Sequence, residues 1–412
     1  MQIGKVASFQ NGYAFKSKDF VQDGNYKIIK IKELKDGKVV FFKDSASVNI
    51  DNICDFEKYI VKNGDILFAL TGDPVNKNNP LSWVGRVSVY ENTEAALLNQ
   101  RVCKLIPKKG VNKKYLYYYF REFGNLYALA SIAKGSASQA NISTKDIEAI
   151  DIELPPITVQ NKVVGILDSI ENKINVNNMI NNNLEQQAQA IFKSWFVDFE
   201  PFGGVQPPEM KFVPLQELCK VVTKGTTPTT LGKPFTSSGI NFIKAESILD
   251  SHSIDSSKFA FIDEETNALL KRSIIKANDI VFTIAGTLGR FAMVDNSVLP
   301  ANTNQAVAII RPDENKVTPA YLYSFFIGNW QNEYYSKRIQ QAVQANLSLT
   351  TIKSLPIAVL SNTTMNDYDE LVSPLFALMK GNEEENRRLS ELRDTLLPKL
   401  MSGELDVSDI DL

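Results

Sequence analysis

Seam residues recur in alternating steps of four and three along two long segments of the chain. The first series is Val163, Leu167, Ile170, Ile174, Asn177, Asn181, Leu184, Ala188, Ile191 and Trp195. Adding 205 to each number gives the second series: Tyr368, Val372, Leu375, Met379, Asn382, Asn386, Leu389, Arg393, Leu396 and Leu400. This mostly apolar spacing is typical of the seam of a coiled coil. The pattern therefore predicts two long helices that pack on each other.

Each predicted helix has about forty residues, which at ~1.5 Å per residue makes a rod on the order of 60 Å long. Two asparagines lie in the central layers of both series, where a buried polar residue fixes the register of a coiled coil. In an antiparallel pair, Asn177 would meet Asn386 and Asn181 would meet Asn382, with the globular segments at opposite ends under a pseudo-two-fold axis. The pattern also permits a parallel pair.

The globular segments that precede the two helices also repeat. Lys62–Gly72 matches Lys276–Gly286 at an offset of 214, and Asn99-Gln100 matches Asn304-Gln305 at an offset of 205. Gln139-Ala140-Asn141 likewise matches Gln344-Ala345-Asn346. The chain is therefore a tandem duplication of a globular module followed by a long helix.

The predicted fold class is α+β, with two duplicated globular α/β modules separated by two long helices that pack as an antiparallel coiled coil. The predicted boundaries are 1–156 for the first module, 157–200 for the first helix, 201–360 for the second module with a Pro/Gly-rich linker at 201–208, and 361–412 for the second helix and C-terminal tail. Strand-like runs in the first module are Tyr26–Ile31, Val39–Phe42, Asp65–Leu70, Trp83–Tyr90 and Arg101–Ile106, and one helix is predicted over Lys113–Ala133.

Composition excludes several classes of protein. His252 is the single histidine, so histidine-dependent triads and multi-histidine metal sites are ruled out. The three cysteines are scattered, which argues against a disulfide framework or a zinc cluster and favours buried apolar positions. The sequence shows neither an apolar run as long as a membrane span nor the layout of a signal peptide. We therefore expect a cytoplasmic protein without membrane contact.

Charge is divided between the modules and the helices. The net charge is −2, yet residues 1–156 carry 22 basic against 17 acidic side chains, a net +5, and residues 201–360 carry 15 against 13, a net +2. The helical segments are acidic: residues 157–200 carry 3 basic and 5 acidic side chains, and residues 361–412 carry 5 basic and 12 acidic side chains. Mildly basic modules permit contact with DNA, while acidic helices suit contact with protein.

Three stretches resemble one known family, the specificity (S) subunits of Type I restriction-modification systems. They are Ile152-Glu-Leu-Pro-Pro-Ile-Thr-Val-Gln160, Ile191-Phe-Lys-Ser-Trp-Phe-Val-Asp-Phe-Glu-Pro201 and Leu396-Leu-Pro-Lys-Leu-Met-Ser-Gly-Glu-Leu405. The resemblance covers essentially the whole chain. It implies two target-recognition domains, each of which reads one half of a split sequence in double-stranded DNA, and an antiparallel helical spacer that fixes the unread gap.

The resemblance also implies partners. Two adenine-methylating modification subunits would grip the helical region, and restriction subunits with motor and nuclease activity would join them. S-adenosylmethionine, ATP and Mg would be bound by those partners and no cofactor by this chain. The sequence has neither the Asn/Asp-Pro-Pro-Tyr/Phe loop of an amino-methyltransferase nor a phosphate loop that ends in Gly-Lys-Ser/Thr. We therefore expect a non-catalytic DNA-recognition subunit.

The chain departs from the family pattern at two points. Ile3 lies only a few residues from the start of the sequence. We therefore expect that an N-terminal segment of the family pattern either is missing or begins upstream. The second helix lacks the Leu-Pro-Pro…Gln motif that leads into the first. Leu355-Pro356-Ile357 stands before it, and Met365 occupies the position that corresponds to Gln160.

Residues that both copies share are expected to hold the common fold: Asp65 and Asp279, Phe68 and Phe282, Asn141 and Asn346. The shared amides of Asn99, Gln100, Gln139, Asn304, Gln305 and Gln344 suit either adenine and phosphate contacts or turn capping. Base readers are expected in unshared stretches: Lys16, Lys18, Lys77, Asn78, Asn79, Arg86 and Arg101 in the first module, and Lys224, Thr226, Thr227 and Arg290 in the second. Phosphate contacts are expected from Lys27, Lys30, Lys32, Lys35 and Lys38, which equally suit a solvated strand face.

A partner-binding surface is expected at the ends of the long helices. Its predicted residues are Phe192, Trp195, Phe196 and Phe199, with Leu397 and Met401 as counterparts in the second copy. Trp195 lies on the seam, so packing between the helices is an equal interpretation of that residue.

Three readings compete with a restriction-modification specificity subunit. A specificity subunit that serves a methyltransferase without restriction differs only in its partner genes. A coiled-coil adaptor that binds proteins alone is disfavoured by the basic modules, and a free-standing nuclease is disfavoured by the lack of catalytic clusters in the sequence.

Overall fold

The computed structural model describes residues 1–77, 79–136, 138–330 and 347–408. The chain forms two compact units: residues 1–174 with 386–412, and residues 175–385. Each unit combines one globular module with part of both long helices. The two units are described separately below as the first unit and the second unit.

The first unit contains three β-sheets. Its strands are β1 (Ala7–Asn11), β2 (Tyr26–Ile29), β3 (Leu34–Lys35), β4 (Lys38–Val39), β5 (Ser47–Val48), β6 (Ile60–Val61), β7 (Ile66–Ala69), β8 (Thr71–Gly72), β9 (Val87–Val89), β10 (Ala96–Leu98), β11 (Val102–Pro107), β12 (Lys134–Ser136) and β13 (Gln139–Asn141). The sheet orders are β1-β11-β7-β9-β4-β3, β5-β2-β10-β6 and β12-β13-β8. Strand β7 is buried on both faces, as expected for a continuous apolar run at the centre of a sheet.

The first unit also contains the helices α1 (Lys113–Arg121), α2 (Phe123–Ser131) and α3 (Thr144–Glu148). The single helix predicted over Lys113–Ala133 is therefore two helices. The Glu122 carboxylate accepts hydrogen bonds from the backbone N–H groups of Gly124 and Asn125. Glu122 thus caps the N-terminus of a second helix. The spacing of apolar residues does not reveal such a cap.

A long helix, α4 (Ile157–Phe196), connects the first unit to the second. The strands of the second unit are β14 (Lys211–Pro214), β15 (Cys219–Lys224), β16 (Ile240–Ile243), β17 (Ala260–Ile262), β18 (Ile280–Thr283), β19 (Phe291–Met293), β20 (Ala301–Thr303), β21 (Val307–Pro312) and β22 (Pro356–Val359). They form sheets of order β15-β21-β18-β19, β17-β16-β20 and β14-β22. The described helices of this unit are α5 (Glu264–Leu269), α6 (Pro319–Ile327) and α7 (Leu349–Lys353), and α8 (Asn362–Ser402) is the second long helix.

Strand pairing confirms the tandem duplication. In the first unit β11 lies between β1 and β7, both antiparallel to it, and β2 pairs in parallel with β10. In the second unit β21 lies between β15 and β18, and β16 pairs in parallel with β20. Phe68 and Phe282 occupy the same place in β7 and β18, and both are fully buried.

The long helices are antiparallel. In the second unit the Asn382 side-chain amide donates to Asn181 Oδ1 at 2.7 Å, and Asn177 donates to Glu385 at 2.7 Å. Residue numbers therefore rise along α4 as they fall along α8. The predicted layer of Asn181 and Asn382 is confirmed, and the predicted pairing of Asn177 with Asn386 stays a prediction. In the first unit Arg393 donates to Glu171 at 3.0 Å, which continues the antiparallel order.

The cysteines differ from the expectation that all three are buried. Cys103 is buried and Cys219 is half-buried, but Cys54 is exposed. Cys54 lies in a short 3-10 helix (Ile53–Tyr59) outside the sheets, so no strand periodicity marks its exposure.

Candidate nucleic-acid interface

In each unit, equivalent backbone hydrogen bonds hold three loops together at the end of one strand, β7 in the first unit and β18 in the second. In the first unit Leu70 N donates to Arg101 O at 2.9 Å, and Ile142 N donates to Leu70 O at 3.0 Å. In the second unit Ile284 plays the part of Leu70: it donates to Ala306 O at 2.8 Å and accepts from Leu347 N at 2.9 Å. We call this region of each unit the strand-end loop cluster.

A glycine brings a further loop into each cluster. A Cβ atom on Gly12 would lie 2.1 Å from Asn99 O, and one on Gly225 would lie 1.8 Å from Thr303 O. Only glycine permits so close a backbone approach. The residues that follow, Tyr13 in the first unit and Thr226 in the second, therefore lie against the turn that the sequence predicts to contact DNA.

The structure brings together most of the predicted residues of the second module. Thr227 donates from its backbone N–H (3.2 Å) and from its hydroxyl to Gln305 Oε1. Thr226 Oγ1 accepts from Arg272 at 3.4 Å, and Lys224 ends the strand that leads into this loop. Asn304 accepts from Ala306 N at 3.0 Å, so it caps the turn. The result is an exposed surface of amide, hydroxyl and cationic groups.

The predicted residues of the first module form a similar cluster. Arg101 and Gln100 are exposed on the turn between β10 and β11. Lys77 donates to Ser138 O at 3.3 Å and pairs with Asp73 at 2.8 Å, which places its loop beside the exposed Gln139 at the start of β13. Asn99 caps its turn by accepting from Gln100 N at 2.8 Å.

Other predicted first-module residues lie apart from this cluster or cap local turns. Lys16 and Lys18 are exposed beside and within a short 3-10 helix (Ser17–Asp19), and Asn79 caps another (Pro80–Ser82). Lys30 lies over the Phe20 ring at 3.7 Å, and burial lowers its pKa. Lys32 pairs with Asp44 at 2.8 Å. Phosphate contact by Lys30 or Lys32 would therefore compete with these contacts.

Arg86 forms hydrogen bonds within its own module. Its guanidinium donates to four backbone carbonyls, those of Leu34, Ser82, Trp83 and Ile31, at 2.9–3.2 Å. Burial lowers its pKa, and the charge of Asp73 opposes that shift. Four of the five guanidinium N–H groups are thereby used inside the fold, which weakens the prediction that Arg86 reads a base.

Arg290 is also occupied. It forms a bidentate pair with Asp250, with N–O distances of 2.7 and 2.6 Å. The carboxylate is 80% exposed, so the pair lies at the surface. DNA contact by Arg290 would have to break this pair, which weakens the prediction.

Two predicted DNA contacts, Asn78 and Gln344, lie outside the residues that the structure describes.

The shared aspartates have structural roles. Asp65 accepts from Lys62 N at 2.9 Å and pairs with Lys104 and Lys113. The fully buried Asp279 accepts from Lys276 N at 2.8 Å and forms a bidentate pair with Arg311. Each carboxylate closes the turn before β7 or β18 and pairs with a cation of the neighbouring strand, Lys104 of β11 or Arg311 of β21, which explains its presence in both copies.

The partner-binding residues predicted from sequence lie in hydrophobic cores or pack against them. Phe192 and Phe196 are 2% and 6% exposed, and Trp195 and Phe199 pack against the same core of the second unit. Leu397 and Met401 pack against the core of the first unit. Phe192 and Phe196 are enclosed by their own unit and offer little area to another protein, which corrects the prediction for these two. Trp195, Phe199, Leu397 and Met401 are only partly buried, so partner binding by them stays a prediction.

An exposed apolar stripe on α4 was missed by the sequence analysis. Val176, Met179 and Ile180 are 48%, 70% and 39% exposed, and their spacing places them on one face of the helix. They lie off the heptad seam. Apolar residues outside the seam positions were the signal that could have identified them.

In the described ranges, no three His, Cys, Asp or Glu side chains are grouped so that they could hold a metal ion. None of the helices described is long and apolar enough to cross a membrane.

Comparison with known proteins identifies the family. The Type I restriction modification DNA specificity domain matches residues 1–186 and 207–360. The MjaIX specificity subunit of Methanocaldococcus jannaschii is 25% identical over 79% of this chain and 76% of its own length. The EcoBI specificity subunit of Escherichia coli is 23% identical over 98% of this chain and 85% of its own length.

A solved structure shares the fold. The S subunit of a Type I restriction-modification system from M. genitalium superposes with a TM-score of 0.55 at 15% identity, over 97% of this chain and 95% of that one. With two matched domains that together span most of its length, the chain belongs to the family of Type I restriction-modification DNA specificity subunits.

Proposed function

We propose that this chain reads a bipartite DNA sequence, one half with each module, and directs adenine methyltransferase and restriction subunits to that sequence. The observation that carries the proposal is the strand-end loop cluster, which recurs on the same backbone scaffold with different side chains. Tyr13 and Arg101 in the first unit are replaced by Thr226 and Ala306 in the second. A repeated scaffold with altered surface groups suits two readers of different sequences.

The chemistry of the clusters suits recognition of duplex DNA. The fork of Arg101 matches the O6 and N7 acceptors of guanine in the major groove. Lys77 and Lys224 supply positive charge beside the turns, where phosphate contact fixes the register of a protein on the duplex. The hydroxyl and amide groups of the second cluster hydrogen-bond to bases or phosphates without strong charge.

The antiparallel helices suit a spacer between the two half-sites. Their polar Asn181–Asn382 layer holds one register, so the length of the pair would set the number of base pairs left unread. Target adenines would be methylated by two modification subunits with S-adenosylmethionine, and DNA would be translocated and cut by restriction subunits with ATP and Mg. This chain contributes recognition, and the complex would act in the cytoplasm, where the DNA is.

Docking of those subunits would use the apolar stripe of Val176, Met179 and Ile180. Exposed apolar residues grouped on one helix face mark a surface that gains free energy when a partner covers it. Leu371 and Leu378, at 48% and 51% exposed on α8 of the same unit, extend the apolar area available on the helices.

The test is the adenine methylome of a host that expresses the chain together with its methyltransferase, compared with a host that lacks only the chain. Loss of one split motif is the expected result. If the methylomes are identical although the complex forms, the chain does not direct methylation and the adaptor function takes its place. If the host DNA is methylated but unmodified phage DNA is not restricted, the chain belongs to a methylation-only system.

A further inference from the structure

The amide of Gln305 has a fixed orientation in the second strand-end loop cluster. Its Oε1 accepts from the backbone N–H of Thr227 at 3.2 Å and from the Thr227 hydroxyl. A backbone N–H can only donate, so the amide atom that faces it must be the oxygen. Both lone pairs of Oε1 are thereby engaged, and the Nε2 group, which only donates, is turned toward the surface.

The contact that orients Gln305 is itself held by the fold. Gly225 N donates to Asn304 O at 3.1 Å, at a place where any side chain would strike the backbone. Pro228 begins a short 3-10 helix (Pro228–Leu231) directly after Thr227, and Thr230 N donates to Thr227 O at 3.0 Å. Thr227 is therefore fixed from both sides, and little side-chain entropy remains to be lost when Gln305 binds a ligand.

We propose that Gln305 recognises a guanine of the second module's half-site by donation alone, and that Thr227 is the positioning residue that enforces this choice. The proposal rests on the proposed DNA-reading function. Bidentate recognition of adenine needs one acceptor and one donor from the amide, and the acceptor of Gln305 is occupied. Guanine presents two acceptors, O6 and N7, side by side in the major groove.

The first module provides a built-in contrast. Gln100 occupies the matching place on its turn, but the position that corresponds to Thr227 is Ala14, which has no hydroxyl. Among the described hydrogen bonds none joins the Ala14 backbone N–H to Gln100 either, so no such contact imposes the orientation of Gln100. Gln100 and Gln305, which occupy equivalent positions in the two modules, thus differ in whether the amide donor and acceptor are held in one orientation.

The test uses the full chain in complex with its methyltransferase. The probes are duplexes that carry the motif defined by the methylome, each with one base pair replaced. Gln305→Glu exchanges the donors for acceptors and should lower the preference for one G·C pair of one half-site about tenfold. Thr227→Val should cause a smaller loss at the same pair, and Thr227→Ser, which restores the hydroxyl, should recover the preference. Gln100→Glu is the matched control and should affect only the other half-site.

Three results would overturn the proposal. They are an unchanged preference in the Gln305→Glu complex, relaxation at an A·T pair, and failure of Thr227→Ser to differ from Thr227→Val. None of these affects the proposed function, which fails only if the wild-type chain directs no split motif at all.

Discussion

At the scale of single residues, surroundings decide which polar side chains remain for a ligand. Arg86 and Arg101 both lie near the predicted DNA-contacting loops, yet Arg86 donates to backbone carbonyls while Arg101 is exposed on its turn. Burial lowers the pKa of Arg86, and carbonyl oxygens engage four of the five N–H donors of its guanidinium. The exposed Arg101 is therefore the better placed of the two for contact with a base or a phosphate.

Met179 is the residue whose change should test the docking surface. Met179→Asp places a charge in the middle of the exposed stripe, which a partner would then have to desolvate. We expect the affinity for the methyltransferase to fall about tenfold or more, while the free energy of unfolding changes by no more than ~0.5 kcal/mol. Co-purification and titration of the two subunits measure the first quantity, and thermal unfolding measures the second.

Leu269→Asp is the matched control, because Leu269 is 56% exposed on α5 of the same unit, away from the long helices. It should leave the affinity unchanged. Equal affinity of the Met179→Asp and wild-type chains would exclude the stripe from the interface.

At the scale of elements, the two long helices carry the clearest correspondence between pattern and structure. The heptad steps predict their pairing, and the Asn181–Asn382 hydrogen bond fixes their register. The helix predicted over Lys113–Ala133, by contrast, is divided by the cap at Glu122. A long periodic segment predicts a helix from many residues together, whereas a single capping side chain is enough to end one short helix and begin another.

Deletion of one heptad from both α4 and α8 tests the helices as a spacer. Seven residues shorten each helix by about 10 Å, equivalent to about three base pairs at ~3.4 Å each. The methylome of the shortened variant should contain a gap about three base pairs shorter between unchanged half-sites. Deletion from one helix alone is the control, since it mismatches the seam and should lower stability. An unchanged gap in the double deletion would refute the spacer.

At the scale of the whole chain, duplication separates scaffold from specificity. The hydrogen bonds of Leu70 recur at Ile284, and those of Asp65 recur in part at Asp279. The side chains around them differ between the modules. Each module thus has its own recognition surface on a common framework.

Exchange of residues 1–156 for the first module of another family member should therefore replace one half-site and keep the other. The methylome of the chimaera, compared with those of both parents, measures this. Reciprocal exchange of residues 201–360 is the matched control and should replace the other half-site. A change of both halves in either chimaera would contradict separate reading by the two modules.

The sequence by itself determined the architecture. Coiled-coil seams follow from spacing because each seam residue meets the partner helix at a regular interval, and the duplication is visible as matching segments at constant offsets. The buried Phe68 and Phe282 and the asparagine layer were identified in this way. These features depend on chain order, which a sequence contains in full.

Only the tertiary structure decided which side chains are accessible. Phe192 and Phe196, expected at an interface, are enclosed by residues from distant parts of the chain, and Arg86 bonds to carbonyls more than fifty positions away, at Leu34 and Ile31. The pairing of Thr227 with Gln305 likewise joins residues 78 positions apart. Accessibility and donor orientation depend on such long-range contacts, and no local pattern of residues encodes them.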